Sequence, residues 1–263
     1  MKIKVLTENT SVSSSLTAEH GLGLYIEANG RKLLFDSGQS GAFADNAAAM
    51  GVDLSSVDTA ILSHGHYDHG GGMLRFLSLN RVAPVYINRH AFGEYYNASG
   101  KYIGLDPALA GSDRVVTVDG RADLGSGLEL FDLNGRELKY PINSFGLAKK
   151  AHGSLVFDDF LHEQYLLIEE NGRRVLFSGC SHKGILNIMD AVRPDVFVGG
   201  FHLSKLEMEG EGREELERIS AELLSYPCEY YTCHCTGDGQ GAFLESLMGG
   251  RLSRISTGSE FEI

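Results

Sequence analysis

Residues 63–72 read SHGHYDHGGG, and this stretch restricts the fold more tightly than any other in the chain. His64, His66, Asp68 and His69 crowd into one turn that directly follows the apolar run TAIL of DTAILSHG (58–65). The pattern is a buried strand ending in a ligand-rich loop. His64 and His66 lie two apart at the strand's C-terminal end, so both can project the same way as the chain leaves the sheet. Asp68 and His69 then sit on the turn into a helix, and the following glycines let the backbone pass close beneath them. Unpaired imidazoles crowded on one turn gain little as packing, whereas a metal ion needs convergent donors. Imidazole nitrogens with one carboxylate suit Zn, Fe(II) or Mn(II).

The remaining pattern alternates short strands with helices. KIKVLTEN (2–9), GLYIEA (23–28) and RKLLFDSG (31–38) read as strands, the last two joined by a tight turn at Asn29-Gly30. GAFADNAAAMG (41–51) reads as a helix, and PVYIN (84–88) and DRVVTVD (113–119) as strands. The second half follows the same order, with EQYLLIEE (163–170), a turn at Asn171-Gly172, then RRVLFSGC (173–180). Helices are expected at 181–192, 211–226 and 239–250, strands at 195–202 and 228–237, and RISTGSEFEI closes as one strand. Two halves of the same outline predict two sheets packed face to face with helices outside, an α/β protein built as an αββα sandwich. We expect one domain over 1–263, with 89–160 as an irregular lid or substrate segment.

Other metal-binding residue types also fall at strand ends. Cys180 and His182 follow RRVLFSG, His202 follows DVFVGGF, and His234 follows EYYT. Strand ends carrying such donors at one rim would make a dinuclear pocket. Cys233 and Cys235 flank His234 and point away from it if that segment is extended, so both are read as structural or as supports behind the metal ligands. His20, His90 and His152 are read as packing or surface residues, with His20 able to line a pocket.

The formal net charge is −12, which repels phosphate backbones and argues against nucleic acid as a partner. No run approaches the ~18 apolar residues of a membrane span. MKIKVLTENTSVSSS is too polar for a signal peptide, and the four cysteines make no disulfide scaffold, so a cytoplasmic protein with reduced thiols is expected. The partner implied is a small molecule; no feature specifies an oligomeric state. A GxSxG elbow and a P-loop are both absent from the sequence, so serine hydrolase and ATPase chemistry have no support.

SHGHYDHGGG resembles the HxHxDH signature of the metallo-β-lactamase superfamily, with LLFDSG before it and RRVLFSGC after the middle region in the expected places. FSGCSHKGI, VGGFHL and CHCTG resemble one branch of it, which includes the archaeal dihydropterin-methyl-ribofuranosylaminobenzene-phosphate synthases and many metal-dependent hydrolases. The resemblance implies that His64 and His66 serve a first metal, and that Asp68, His69 and His234 serve a second. A bridging aspartate is usual after the strand that reads VLFSG; here Cys180 and His182 follow, and His182 is the preferred substitute. The usual GHTPGS histidine is also missing. His162 or Glu163 of DDFLHEQYLLI stands in its place.

The activity implied is metal-dependent hydrolysis of a small, anionic, ester-type substrate, using one or two divalent ions, zinc first and iron or manganese next. Asp68 would orient the water, His202 would donate a proton to the leaving group, and Lys149 and Lys150 would hold a substrate phosphate or carboxylate. Two alternatives follow from the same resemblance. One is a transferase joining a pterin to a ribosyl aminobenzene phosphate, with Phe92, Tyr95, Tyr96 and Tyr102 stacking on the heterocycle. The other is a di-iron redox or sensor protein.

Overall fold

A computed structural model describes residues 1–263. Two seven-stranded sheets form its centre. In chain order the first holds Lys2–Thr7, Gly23–Ala28, Arg31–Phe35, Thr59–Leu62, Val85–Asn88, Val115–Val118 and Glu260–Glu262. The second holds Ala122–Gly125, Leu128–Phe131, Tyr165–Glu170, Arg173–Ser178, Val196–Gly199, Glu229–Thr232 and Leu252–Arg254. Alternation along each strand decides the layers. Leu166 and Ile168 face the opposite sheet, while Tyr165 and Leu167 face the helices. Between the sheets Phe35 meets Phe177 with ring centroids 5.9 Å apart. Outside the first sheet lie the helices Ala42–Ala49 and Met73–Leu79; outside the second lie Ile185–Val192, Gly210–Leu224 and Asp238–Met248. The expected αββα sandwich is the observed fold.

Each sheet contains a hairpin closed by an Asn-Gly pair. Both residues of each pair have positive φ, at Asn29 and Gly30 in one and Asn171 and Gly172 in the other. That is the turn geometry whose twist matches paired antiparallel strands. After each hairpin the chain adds parallel strands, Thr59–Leu62 and Val85–Asn88 in one sheet, Val196–Gly199 and Glu229–Thr232 in the other. The C-terminal ends of these parallel strands, and of the hairpin strands that start them, therefore share one rim.

Three expectations need correction. The closing segment is two strands, not one: Leu252–Arg254 pairs in the second sheet, and Glu260–Glu262 crosses to the first. The expected helix 181–192 starts at Ile185, because Ser181 and Gly184 both have positive φ and hold a loop there. The stretch 89–160 is more regular than expected. It supplies Val115–Val118 to one sheet and Ala122–Gly125 and Leu128–Phe131 to the other. It also folds into a separate three-stranded sheet of Tyr95–Tyr96, Ala148–Ala151 and Ser154–Phe157. No helix is long and apolar enough to cross a membrane.

The inter-sheet layer is one of three buried apolar clusters that hold the fold together. Phe177→Ala should cost about 3–5 kcal/mol, since the ring is fully buried between sheets that cannot close up. Phe157→Ala, on the exposed small sheet, should change stability by less than about 0.5 kcal/mol. Urea unfolding of both variants checks the contrast; equal losses would mean that the sheets do not share one core.

Candidate metal centre

The shared rim gathers donors from six strand ends. His64 and His66 follow Thr59–Leu62, and Asp68 and His69 lie on the short helix Tyr67–Gly70 behind them. Cys180 and His182 follow Arg173–Ser178, His202 follows Val196–Gly199, and His234 follows Glu229–Thr232. Asp36, and Glu8 with Asn9, come from the ends of Arg31–Phe35 and Lys2–Thr7. The close packing needs residues without Cβ. At Gly179 a Cβ would lie 2.1 Å from the Ser63 hydroxyl, and at Gly72 it would lie 2.4 Å from the Ser37 carbonyl. The third glycine of the opening motif is therefore where two loops touch.

The donors form two adjoining groups. His64, His66 and His182 each offer a ring nitrogen within 4.8 Å of the other two. His69 Nε2 lies 3.2 Å from His234 Nε2, and Asp68 Oδ2 lies 3.4 Å from the same His234 atom. Cys180 stands between the groups: its Sγ is 3.2 Å from His69 Nε2, and it clusters with His64 and His69 on one side and with His182 and His202 on another. The sequence favours His182 as substitute for a bridging aspartate, and Cys180 also lies within reach of both groups. His20 Nε2 reaches Asp68 Oδ2 at 3.2 Å, so it joins the cluster rather than standing apart.

Hydrogen bonds fix which nitrogens are left free. Asp36 accepts from the Ser63 amide and hydroxyl and pairs with His69 Nδ1, each at 2.7 Å. Because the Ser63 proton goes to Asp36, His64 Nδ1 must donate to Ser63 Oγ (2.8 Å), which leaves the His64 Nε2 lone pair facing His182 Nε2 at 3.3 Å. Asn9 Oδ1 accepts from the Gly21 amide and from His234 Nδ1 (2.8 Å), so the His234 Nε2 lone pair faces inward. Two more buried atoms, His66 Nε2 and His182 Nδ1, have no partner. A buried polar atom left unpaired costs about 1–3 kcal/mol. Several such nitrogens converging beside a carboxylate and a thiol are what a divalent cation fits. Outer partners such as Asp36 and Asn9 set the tautomer of a ligating imidazole.

Backbone strain marks the same rim. Asp36, Ser181, His202 and His234 all have φ between 52° and 60°. Non-glycine residues held there cost about 1–3 kcal/mol each unless their surroundings fix them, and such strain gathers at functional sites. His234 is fixed by the Glu8 carboxylate, which accepts from its amide at 2.7 Å.

Some sequence candidates lie elsewhere or do other work. His162 accepts from the Gly65 amide at Nδ1 and pairs with Asp158 at Nε2, so both nitrogens are engaged. Glu163 is buried and accepts from the His182 and Lys183 amides and the Tyr165 hydroxyl; it holds the Cys180–His182 loop in place. Lys149 pairs with Asp159 and Lys150 with Glu94, on the small sheet. Cys235 corrects the extended reading of its segment. His234–Thr236 is a 3-10 turn that brings Cys235 back towards Cys180 and His234, while Cys233 points into the inter-sheet core. Sequence reasoning misses Asp36, Ser63, Glu8 and Asn9 as site residues; their only signal is a polar residue where an apolar strand stops.

The electrostatics divide the histidines. Burial holds His66 down to about 3, and burial with neighbouring imidazoles keeps His64 and His182 well below the usual histidine range. Burial opposes charge on His69 too, but Asp36 outweighs it and lifts that group to about 9. Burial would likewise raise Asp68, yet the bond from His20 and the neighbouring His69 and His234 rings hold it well below the ordinary range. The depressed histidines leave the unfolded chain with more protons below pH 6.5, so they remove stability as pH falls from 6.5. The raised His69 gives the native state the extra proton, and its contribution is lost as pH rises from 6.5 towards 9. Each group changes stability by roughly 1.4 kcal/mol per pH unit inside its window. Chelator-treated protein should therefore be most stable near pH 6.5. Calorimetry from pH 5 to 9 checks this, and a melting temperature that climbs steadily to pH 9 would contradict it.

The metallo-beta-lactamase superfamily model matches residues 17–142. An uncharacterized protein of Methanocaldococcus jannaschii is 28% identical over 89% of this chain and 90% of its own length. From the same organism, 7,8-dihydropterin-6-methyl-4-(beta-D-ribofuranosyl)-aminobenzene-5'-phosphate synthase is 26% identical over 94% of this chain and 92% of its own. The crystal structure of a metal-dependent hydrolase of the beta-lactamase superfamily superposes with a TM-score of 0.82 at 27% identity, covering 100% of this chain and 99% of that one. The HxHxDH turn stands at the rim of the αββα sandwich, the match to that structure runs the whole length of the chain, and on these grounds this chain has the metallo-beta-lactamase fold.

Proposed function

We propose that the protein is a metal-dependent hydrolase that cleaves an ester-type bond in a small substrate, using zinc, or iron or manganese in its place. The observation that carries this reading is the convergence of buried, unpaired imidazole nitrogens with Asp68 and Cys180 at one rim. His64, His66 and His182 would hold one ion; Asp68, His69 and His234 would hold a second, with Cys180 between them. A bound divalent ion supplies water acid enough to lose its proton near neutral pH and polarises a carbonyl or phosphoryl oxygen.

The chain's own residues supply the rest. Asp68 stays ionised because His20 bonds to it and further imidazoles surround it, so its carboxylate can orient the water. Asp36 holds His69 in one tautomer, and Asn9 does the same for His234. His202 has no hydrogen-bond partner at either ring nitrogen and stacks edge-on 4.3 Å from His182, which suits a proton donor to the leaving oxygen. A second reading, a transferase acting on a pterin, is favoured by the 26% identity to the synthase over nearly the full chain. A direct test is calorimetric titration with a dihydropterin.

Two measurements test the hydrolase. Purified protein should carry transition metal by elemental analysis and cleave at least one member of a phosphodiester, lactone and thioester panel. His66→Ala should lower kcat/KM by about 100-fold or more. No metal, together with unchanged turnover in His66→Ala, sinks the reading. Asp36→Asn keeps the shape of the side chain but removes its charge, so metal affinity should fall roughly 10–100-fold. Competition with a chromophoric chelator measures this, and an unchanged affinity would mean that Asp36 does not set the His69 tautomer.

A further inference from the structure

Beside the donor cluster the rim opens into a cavity of about 270 Å³. His182 and His202 form its inner end, and Tyr140, Phe145, Leu206 and Ile219 are among its walls. The cavity is rigid on the Tyr140 side. The Tyr140 hydroxyl donates to Glu222, and its backbone exchanges two hydrogen bonds with Asn187. Phe145 sits edge-on to His202 with centroids 5.4 Å apart, and its backbone holds a φ of 49°.

Charge separates the possible occupants. The cavity's one guanidinium, Arg218, makes two hydrogen bonds to Glu215, the one carboxylate in the wall, so the pair is neutral. The lysines that could have served a phosphate or carboxylate are bound to Asp159 and Glu94 elsewhere. The remaining walls are mostly apolar. At the inner end the His202 nitrogens are unpaired; of the other polar side chains in the wall, Asn143 accepts from the Phe145 amide and the Ser181 hydroxyl donates to the Gly200 carbonyl. A dry cavity of about 150 Å³ accepts one benzene, so this one has room for one to two rings.

We propose that this cavity is the specificity pocket of the hydrolase and takes an uncharged, flat, apolar group of one to two rings on one side of the cleaved bond. The bond itself would lie at His202 and His182. The proposal rests on the hydrolase reading for that second statement, but not for binding.

The test uses the full chain as purified, with 2-naphthol as probe. Wild-type protein should bind 2-naphthol, and Leu206→Trp, which fills the cavity, should weaken binding roughly tenfold or more. Phe145→Ala is the second variant, in case the first does not fold; it removes a wall and should also weaken binding. 2-Naphthalenesulfonate, of the same size but charged, should bind about tenfold more weakly than 2-naphthol. The wild-type preference for 2-naphthyl acetate over methyl acetate should fall by a similar factor in Leu206→Trp. Unchanged naphthol binding in a folded Leu206→Trp or Phe145→Ala variant, or equal binding of the sulfonate, overturns the pocket assignment. Variant-sensitive naphthol binding without cleavage of any ester keeps the pocket and removes the hydrolase. Ester cleavage with no dependence on either variant keeps the hydrolase and removes the pocket.

Discussion

One buried carboxylate, Asp36, organises the rim. It has no exposure to solvent, so its charge must be met by the protein. It accepts from the Ser63 amide, the Ser63 hydroxyl and His69 Nδ1, and through Ser63 it also sets the proton on His64. One side chain from the end of a strand in the first sheet thus fixes a histidine in each of the two donor groups. If it were neutral, His69 would lose the charge that lifts it to about 9, and the Ser63 hydroxyl would be free to turn. The inward-facing nitrogens would then have no reason to stay inward.

The fold makes that arrangement possible by geometry more than by the strength of any contact. Parallel strands deliver their C-terminal ends to the same side, and two sheets packed face to face deliver two such sets to one line. The first sheet contributes His64 and Asp36; the second contributes Cys180, His202 and His234. The sheets must approach closely for these to meet, and Gly179 is where a side chain would strike Ser63. The positive φ values at Asp36, Ser181, His202 and His234 are the local cost of aiming side chains at one point as the strands end.

What is legible in the sequence follows from which signals are local. The HxHxDH turn, the two Asn-Gly hairpins and the alternating strands each depend on residues within a few positions, and the structure contains each of them. The partners of the histidines depend on pairs far apart in the chain: Asp36 with His69, Asn9 with His234, Glu163 with the His182 amide. No spacing rule announces these. Cys235 is misread for the same reason, because only the His234 backbone, held by Glu8, turns it back towards Cys180. Lys149 and Lys150 look available in the sequence because their partners, Asp159 and Glu94, are brought to them by the small sheet. The regular structure within 89–160 is hidden because its short strands carry mixed, half-exposed residues with weak alternation.

The charge state of the cluster links its stability to what it can bind. Without a cation, the proton lifted onto His69 by Asp36 lies beside the His234 nitrogen and the Cys180 sulfur, and burial pushes the Cys180 thiol up so that it keeps its own proton. The His64, His66 and His182 group is the opposite case: burial keeps it neutral, with lone pairs ready. Ligands must be deprotonated before they bind a metal. A cation entering the first group therefore displaces nothing, whereas one entering the second must release protons from His69 and Cys180. The two halves of one rim consequently differ in what pH would do to them: the His64 side would take an ion across the neutral range, and the His69 side would take one more readily as pH rises.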